Sequence, residues 1–558
     1  MKNPTALNQA YRKYREILFA TIVFSFFVNL LMFVGPLYML QVYDRVLTSR
    51  NETTLIMIST IAVGLLMTYG LLEYVRSRML VRTGLQFDDV LSSPLFHRVV
   101  KMQLSHPGSG NSALRDADKV RDFITGQGIL SFFDAPWVPL FLGMCFLLHP
   151  WLGMVATTGA VVIFTLALLN ELLTRKHLQK ANEAAAQANK FSNTTLMNAE
   201  AIRAMGMEQR LVSRWLKFRD AMLTDQATAS DRAGVILASS KFVRMSLQVA
   251  ILGVGAYLVL LQEISPGVMI AASIVMGRAL APAEQAVGQW KHFVAARDAD
   301  KRLRSLFETF PADEEHISLP TPKGSVDVAG VTSVIPGTRT TVLKNITFSV
   351  SAGETLAIVG PSGSGKSSLV RHLVGVWPPL SGEIRLDGAE LHNWNNKELG
   401  QHMGYLPQDV ELFPGTVAEN IARFDEHATD EDIVAAAKLA GAHDVIQHFQ
   451  DGYGTEVGVG GSNLSGGQRQ RVGLARAVYK LPSFIVLDEP NSNLDSTGEE
   501  ALIQCLHELK RLGKTVIFVT HKANLLSLTD KTLIMNSGQV QRIAATKDIV
   551  QKPSVAAG

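Results

Sequence analysis

At 558 residues the chain is longer than one hydrophobic core usually supports, so it divides into at least two domains. With 47% hydrophobic residues, only 18% charged residues and a mean hydropathy of +0.15, it has the composition of a protein with membrane segments. A net charge of +3 without a basic, aromatic-rich patch argues against nucleic acid as a partner, and two cysteines, Cys145 and Cys505, cannot build a disulfide framework.

The N-terminus is polar and basic (Lys2, Arg12, Lys13, Arg15) and leads into an apolar run too long for a cleavable signal peptide. Six apolar segments are long enough to cross ~30 Å of hydrocarbon as helices: residues 17–40, 54–74, 129–148, 152–173, 245–261 and 267–287. The connections 75–128 and 174–232 carry eight and ten lysines and arginines, whereas the alternate connections hold only Arg45 and Arg50. The positive-inside rule therefore puts the two long connections and both termini in the cytoplasm. Both are charged and mostly free of helix breakers, which predicts continuations of the membrane helices that turn back at their tips. The first tip is expected at His106-Pro-Gly-Ser-Gly-Asn111, ahead of a helix from Ser112, and the second around 198–207.

Three cations, Lys241, Arg244 and Arg278, lie in or beside spans five and six. A cation facing lipid costs at least ~2.5 kcal/mol at the bilayer centre, so these side chains are expected to face an interior path, with Glu284 as a partial counterion for Arg278 and snorkelling to the cytoplasmic headgroups as the alternative for Lys241 and Arg244. Beyond span six, residues 290–310 read as a charged amphipathic helix, and 311–323 as a hydrophilic, proline-containing linker. Residues 1–310 thus form a membrane domain and 324–558 a second domain.

In that second domain, short β-rich runs alternate with helices: 355–359 then 367–373, 484–487 then 498–512, and a further strand at 515–519. This order describes an α/β domain with a largely parallel sheet. Gly360-Pro-Ser-Gly-Ser-Gly-Lys-Ser367 has P-loop spacing and the strand-to-helix context that the pattern requires. Its glycines let backbone N–H groups converge on phosphate oxygens, the helix N-terminus adds partial positive charge, Lys366 reaches the outer phosphates and Ser367 ligates Mg²⁺. Gly360, Ser362, Gly363, Ser364, Gly365, Lys366, Ser367 and Ser368 are therefore assigned to ATP. Phe484-Ile-Val-Leu-Asp488-Glu489 is an apolar strand ending in two carboxylates. Asp488 is expected to hold the metal and Glu489 to act as general base on the attacking water.

Leu464-Ser-Gly-Gly-Gln468, followed by Arg469-Gln-Arg471, resembles the signature of ABC ATPases. The resemblance implies that Ser465, Gly466, Gly467 and Gln468 close over the γ-phosphate of ATP bound to an opposing subunit, so that the working unit is a homodimer. It also implies a Q-loop role for Gln408, which would sense Mg²⁺, a γ-phosphate contact for His521, and a D-loop at Asn493-Leu-Asp495. Catalysis would then rest on Glu489, His521 and Lys366, and metal binding on Ser367, Gln408 and Asp488.

Two positions depart from the family pattern. Ile335 stands where an aromatic residue commonly stacks on adenine, and Val459 where the X-loop often carries an acid.

As a whole the chain resembles a type I ABC exporter half-transporter: a membrane α-helical domain of six spans plus an α/β P-loop ABC ATPase domain. The finer likeness is to PrtD-type ATPases of bacterial type I secretion, through Pro36-Leu-Tyr-Met-Leu-Gln-Val-Tyr-Asp-Arg-Val46, Phe133-Asp-Ala-Pro-Trp-Val-Pro139 and Ala201-Ile-Arg-Ala-Met-Gly-Met207. It implies ATP-driven export of an unfolded protein substrate across the bacterial inner membrane, with a membrane-fusion protein and an outer-membrane channel as partners. The absence of a cysteine-protease domain before span one argues against leader-cleaving exporters. A lipid or drug flippase of the same fold, or an ATP-gated regulator with little hydrolysis, are the alternatives. Intact Glu489, His521 and signature residues argue against the regulator.

Overall fold

The computed structural model describes residues 6–105, 110–311, 319–336, 338 and 340–550. The chain divides into two compact units, residues 1–312 and 313–558.

Hydrocarbon offers the backbone no hydrogen-bond partners, so apolar runs of this length must satisfy themselves as helices. Six described helices are long and apolar enough to span: Arg15–Ser49, Glu52–Ser105, Gly128–Leu148, Pro150–Leu196, Glu208–Leu260 and Pro266–Gly288. Each takes up one of the six apolar segments. The second, fourth and fifth are 54, 47 and 53 residues long. At about 1.5 Å per residue they measure roughly 70–80 Å, more than twice the hydrocarbon thickness, and continue well beyond it. The fourth returns through a short helix, Ala199–Ala204, at the expected tip. The second is followed by a helix Gly110–Thr125, which starts two residues before Ser112, while the turn His106-Pro-Gly-Ser109 lies outside the described residues. The helix Trp290–Thr309 buries Leu303 and Phe307 against Phe87, Leu91 and Leu95 of the second helix and Val120 and Ile124 of Gly110–Thr125.

Polar groups within the spans are paired across helices. Arg76, 3% exposed, donates to Asp134 at 2.8 Å, to Glu73 at 2.9 Å and to the Ser25 hydroxyl at 3.0 Å, and Asn29 also donates to Asp134 at 2.9 Å. This network ties spans one, two and three together. Asp44 lies in a π-helical turn, Val42–Val46, and caps the N-terminus of span six: it accepts from the Ser265 hydroxyl and from the Gly267 N–H at 2.9 Å. The helix dipole favours a carboxylate there. A Cβ at position 267 would stand 2.5 Å from the Asp44 carboxylate, so a larger residue there would force the carboxylate to shift.

The sequence reading of Glu284 is corrected. Its carboxylate pairs with Arg244 of span five at 3.0 Å, not with Arg278. Residues six apart on a helix lie about 120° apart around its axis, so Arg278 and Glu284 project from different faces. Arg244 is accordingly half-buried and neutralised rather than a free cation on a path.

In the second unit the strands are β1 (Val326–Val334), β2 (Thr341–Val350), β3 (Thr355–Val359), β4 (Ser381–Leu386), β5 (Ala389–Glu390), β6 (Met403–Leu406), β7 (Phe484–Asp488), β8 (Thr515–Val519), β9 (Lys531–Asn536) and β10 (Gln539–Ala545). An antiparallel sheet has the order β2-β1-β4-β5, and a six-stranded sheet the order β10-β9-β3-β8-β7-β6. In the larger sheet β9, β3, β8, β7 and β6 run parallel and β10 is antiparallel. Strands β7 and β8 are buried along their whole length, which is why they read as unbroken apolar runs. Parallel pairing brings the C-terminal ends of β3, β8, β7 and β6 to one edge, where ligands bind in open α/β sheets.

Part of the expected linker folds onto this unit. Leu319 packs on its core, and the N–H groups of Lys323, Gly324 and Ser325 all donate to the carboxylate of Asp387. Residues 312–318 lie outside the described residues.

Candidate nucleotide site

The loop after β3 turns sharply into the helix Lys366–Leu373, with Gly363 and Gly365 in the left-handed region at φ 79° and 96°. A side chain at 365 would press on Val342 and Leu343 of β2, so the loop can lie close to the sheet only with glycine there. Lys366 is 6% exposed and its Nζ donates to the carbonyls of Gly360 at 2.8 Å and Pro361 at 3.0 Å, inside the loop it is expected to help bind phosphate. Ser364 is 2% exposed, and its hydroxyl is buried without a partner. Ser362 and Ser368 belong to the same turn and helix start.

Two strands away, β7 ends in Asp488, 2% exposed, whose carboxyl is pushed above the usual range by burial. The Ser367 hydroxyl hydrogen-bonds it and opposes that shift, the Glu489 charge adds to it, and Arg371 and Lys366 counter it. One oxygen of Asp488, Oδ1, is buried with no partner. A buried, unpaired carboxylate oxygen beside a P-loop serine suits a hard cation with oxygen ligands. Among the described residues no three His, Cys, Asp or Glu side chains are placed to hold a metal ion by themselves, so a Mg²⁺ here would need Ser367 and nucleotide oxygens to complete its shell. Asp488 and Ser367 fit such an ion.

Glu489 follows with φ 50°, a left-handed conformation uncommon for a non-glycine residue, which turns its side chain away from the strand direction. Its Oε2 accepts from Gln408 Nε2 at 3.2 Å, and its Oε1 lies 3.6 Å from His521 Nε2. Gln408 therefore contacts Glu489, and His521 reaches it from the loop after β8. The P-loop, Asp488, Glu489, Gln408 and His521 thus gather at one sheet edge.

The signature residues stand apart from that group. Ser465 is the N-cap of the helix Gly466–Val478, in a capping box: its hydroxyl accepts from the Gln468 N–H at 3.3 Å, and the Gln468 side-chain Oε1 accepts from the Ser465 N–H at 2.8 Å. The side chain of Gln468 is thereby engaged with its own helix start, leaving the N–H groups of Gly466 and Gly467 at the positive helix end. Gln470 Nε2 donates to the Pro490 carbonyl at 3.0 Å and Arg471 pairs with Asp495 at 2.7 Å, tying this helix to the segment after Glu489. Among the described residues no hydrogen bond joins residues 465–468 to the P-loop, Asp488 or Glu489.

Ile335 is 37% exposed beside the turn closed by the Thr340 carbonyl, and Val459 is 81% exposed. Sequence reasoning overlooked Arg371 and His372. Arg371, one turn after Ser367 on the same helix face, acts on Asp488 and hydrogen-bonds Tyr405. His372 is 1% exposed and lies 2.6 Å from the Ser333 hydroxyl and 2.7 Å from the Trp377 carbonyl, which fixes the end of β1 just before Ile335. The spacing from the P-loop serine was the available signal for Arg371; nothing local marked His372.

Comparison with known proteins follows the same division. Residues 343–492 match the ABC transporter model and residues 18–279 the ABC transporter transmembrane region model. The type I secretion system ATP-binding protein PrsD of Rhizobium meliloti (strain 1021) is 43% identical over 97% of this chain and 93% of its own length. The leukotoxin translocation ATP-binding protein LktB of Mannheimia haemolytica is 28% identical over 97% of this chain and 77% of its own. A bacterial Atm1-family ABC exporter with ATP bound shares the fold, with a TM-score of 0.82 at 22% identity over 97% of both chains. The chain is an ATP-binding, multi-pass membrane transporter that belongs to the ABC exporters, in the group of type I secretion ATPases.

Proposed function

We propose that the chain is the ABC component of a bacterial type I secretion system, a homodimer in the inner membrane that couples ATP hydrolysis to export of an unfolded protein. Its ATPase unit and both termini are cytoplasmic, and it hands its cargo to a membrane-fusion protein and an outer-membrane channel. The identity with secretion ATPases along nearly the full chain supports the cargo class. The observation that carries the chemistry is Glu489 held between Gln408 and His521 at the edge that also presents the P-loop.

ATP enters with its phosphates against the amides of residues 360–368, and Lys366 exchanges the carbonyls of Gly360 and Pro361 for phosphate oxygens. Mg²⁺, bound through Ser367 and Asp488 with Gln408 nearby, would neutralise phosphate charge. Glu489 accepts a proton from the attacking water as its oxygen bonds to the γ-phosphorus. The bond to the bridging oxygen breaks, and ADP departs with that electron pair. His521 hydrogen-bonds the γ-phosphate. Ser465, Gly466, Gly467 and Gln468 of one copy close over ATP bound to the other, which accounts for their separation from the P-loop within one chain.

The test is reconstitution of the full-length chain in proteoliposomes with the ATPase unit outside. ATP-dependent accumulation of a labelled unfolded polypeptide in the lumen is expected. Transport of a fluorescent lipid analogue, with none of the polypeptide, would replace this reading with a flippase.

A further inference from the structure

Three carboxylates of the spans are already engaged. Glu73 and Asp134 both bind Arg76, and Glu284 binds Arg244. Arg278, about 18 Å along span six from Pro266 at 1.5 Å per residue, is exposed and has no ion pair or hydrogen bond among the described residues. A guanidinium at that depth cannot face acyl chains without a large desolvation cost.

Span six is also the most enclosed of the six, with 56% of its apolar window buried against 6–35% in the others. Its packed side carries Ala272, Val275, Met276 and Ala279. The half-buried Ile274 and Ala281 and the exposed Arg278 and Gln285 recur at helical spacing and form one stripe, in which Gln285 accepts from the Ser131 hydroxyl at 3.2 Å. Beside it, Gly277 and Gly288 have open space where a side chain would stand.

We propose that Arg278 is a cargo-binding cation that captures acidic side chains of an unfolded polypeptide passing along span six. The inference rests on the protein-export reading and adds a charge preference to it. A free guanidinium in an open stripe lined by small side chains offers two parallel hydrogen bonds to a carboxylate and leaves room for an extended chain.

The experiment uses the full-length chain in phosphatidylcholine nanodiscs. Fluorescent unfolded peptides of one length, glutamate-rich, lysine-rich or uncharged, are titrated into wild type, Arg278→Lys, Arg278→Ala and Arg278→Glu, with melting curves to verify folding. Wild type is expected to bind the glutamate-rich peptide best, and Arg278→Lys to retain most of that. Arg278→Ala should weaken it about tenfold, the effect of one charge pair in partly hydrated surroundings. Arg278→Glu should shift the preference to the lysine-rich peptide, a gain that misfolding cannot produce. Undiminished binding of the glutamate-rich peptide by both Arg278→Ala and Arg278→Glu would overturn this inference alone. A wild-type chain that binds no peptide of any charge would overturn it together with the protein-export reading. Arg278-dependent capture of anionic lipid, with peptide binding indifferent to the substitution, would overturn it in favour of a lipid headgroup contact.

Discussion

Replacing Glu489 by glutamine changes charge and basicity while keeping shape. The Gln408 amide, 3.2 Å from Oε2, can donate to the new carboxamide oxygen as it does to the carboxylate, so the local geometry should survive. On the proposed reading ATP binding uses the P-loop amides and Lys366, none of which contacts Glu489, so removing a negative charge beside the phosphates should not weaken it. The dissociation constant is expected to stay within about threefold. Turnover loses its general base, an effect of roughly 10²- to 10⁴-fold, or about 2.7–5.5 kcal/mol in the barrier. Phosphate release by the full-length protein, nucleotide binding by a fluorescent ATP analogue, and the dimer content with ATP together provide the assay. Nucleotide should remain trapped in a persistent dimer. Turnover within tenfold of wild type would remove Glu489 from the role of base.

Ser465→Arg is expected to retain ATP binding and lose hydrolysis, because in the proposed homodimer it puts bulk where the other subunit's γ-phosphate would dock; a fully active variant would argue against a composite site. Asp488→Asn should abolish Mg²⁺-dependent turnover yet raise the melting temperature of the nucleotide-free, metal-free protein at neutral pH. The sign follows from burial, which lifts the folded-state pKa of Asp488 above its unfolded value. Ionisation then costs stability once the pH exceeds the unfolded carboxylate range, and the full cost is reached above the folded pKa. The stabilisation by asparagine should therefore shrink as the pH falls into the carboxylate range, and its absence at neutral pH would contradict the argument. Gly267→Ala places a Cβ 2.5 Å from the Asp44 carboxylate and should cost about 1–3 kcal/mol, seen as a lower melting temperature of the full chain in detergent. No change would mean that Asp44 gives way without loss.

Much of the architecture was legible because its causes are local. Each span announces itself by apolar length, since hydrocarbon admits only self-satisfied helices, and the strand Thr355–Val359 followed by Gly360 and Lys366 is recognisable because phosphate binding needs glycine, a helix start and a cation within eight residues. The capping box of Ser465 and Gln468 was likewise written in the Ser-Gly-Gly-Gln order, although the resemblance to the ATPase signature drew attention to their anion-binding role instead.

What the sequence could not decide were pairings between elements distant in the chain. Glu284 is six residues from Arg278 and forty from Arg244, yet helix rotation turns the near partner away and span packing delivers the far one. Asp134 and Arg76 sit on different helices, and Asp44 meets the N-terminus of span six across more than two hundred residues. The sheet order β3-β8-β7-β6 that gathers the P-loop, Asp488, Glu489, Gln408 and His521 at one edge has the same character. Composition and spacing determined which residues carry charge, phosphate-binding loops and membrane length. Tertiary packing alone decided which charges neutralise one another, and it gives Arg278 no ion pair or hydrogen bond among the described residues.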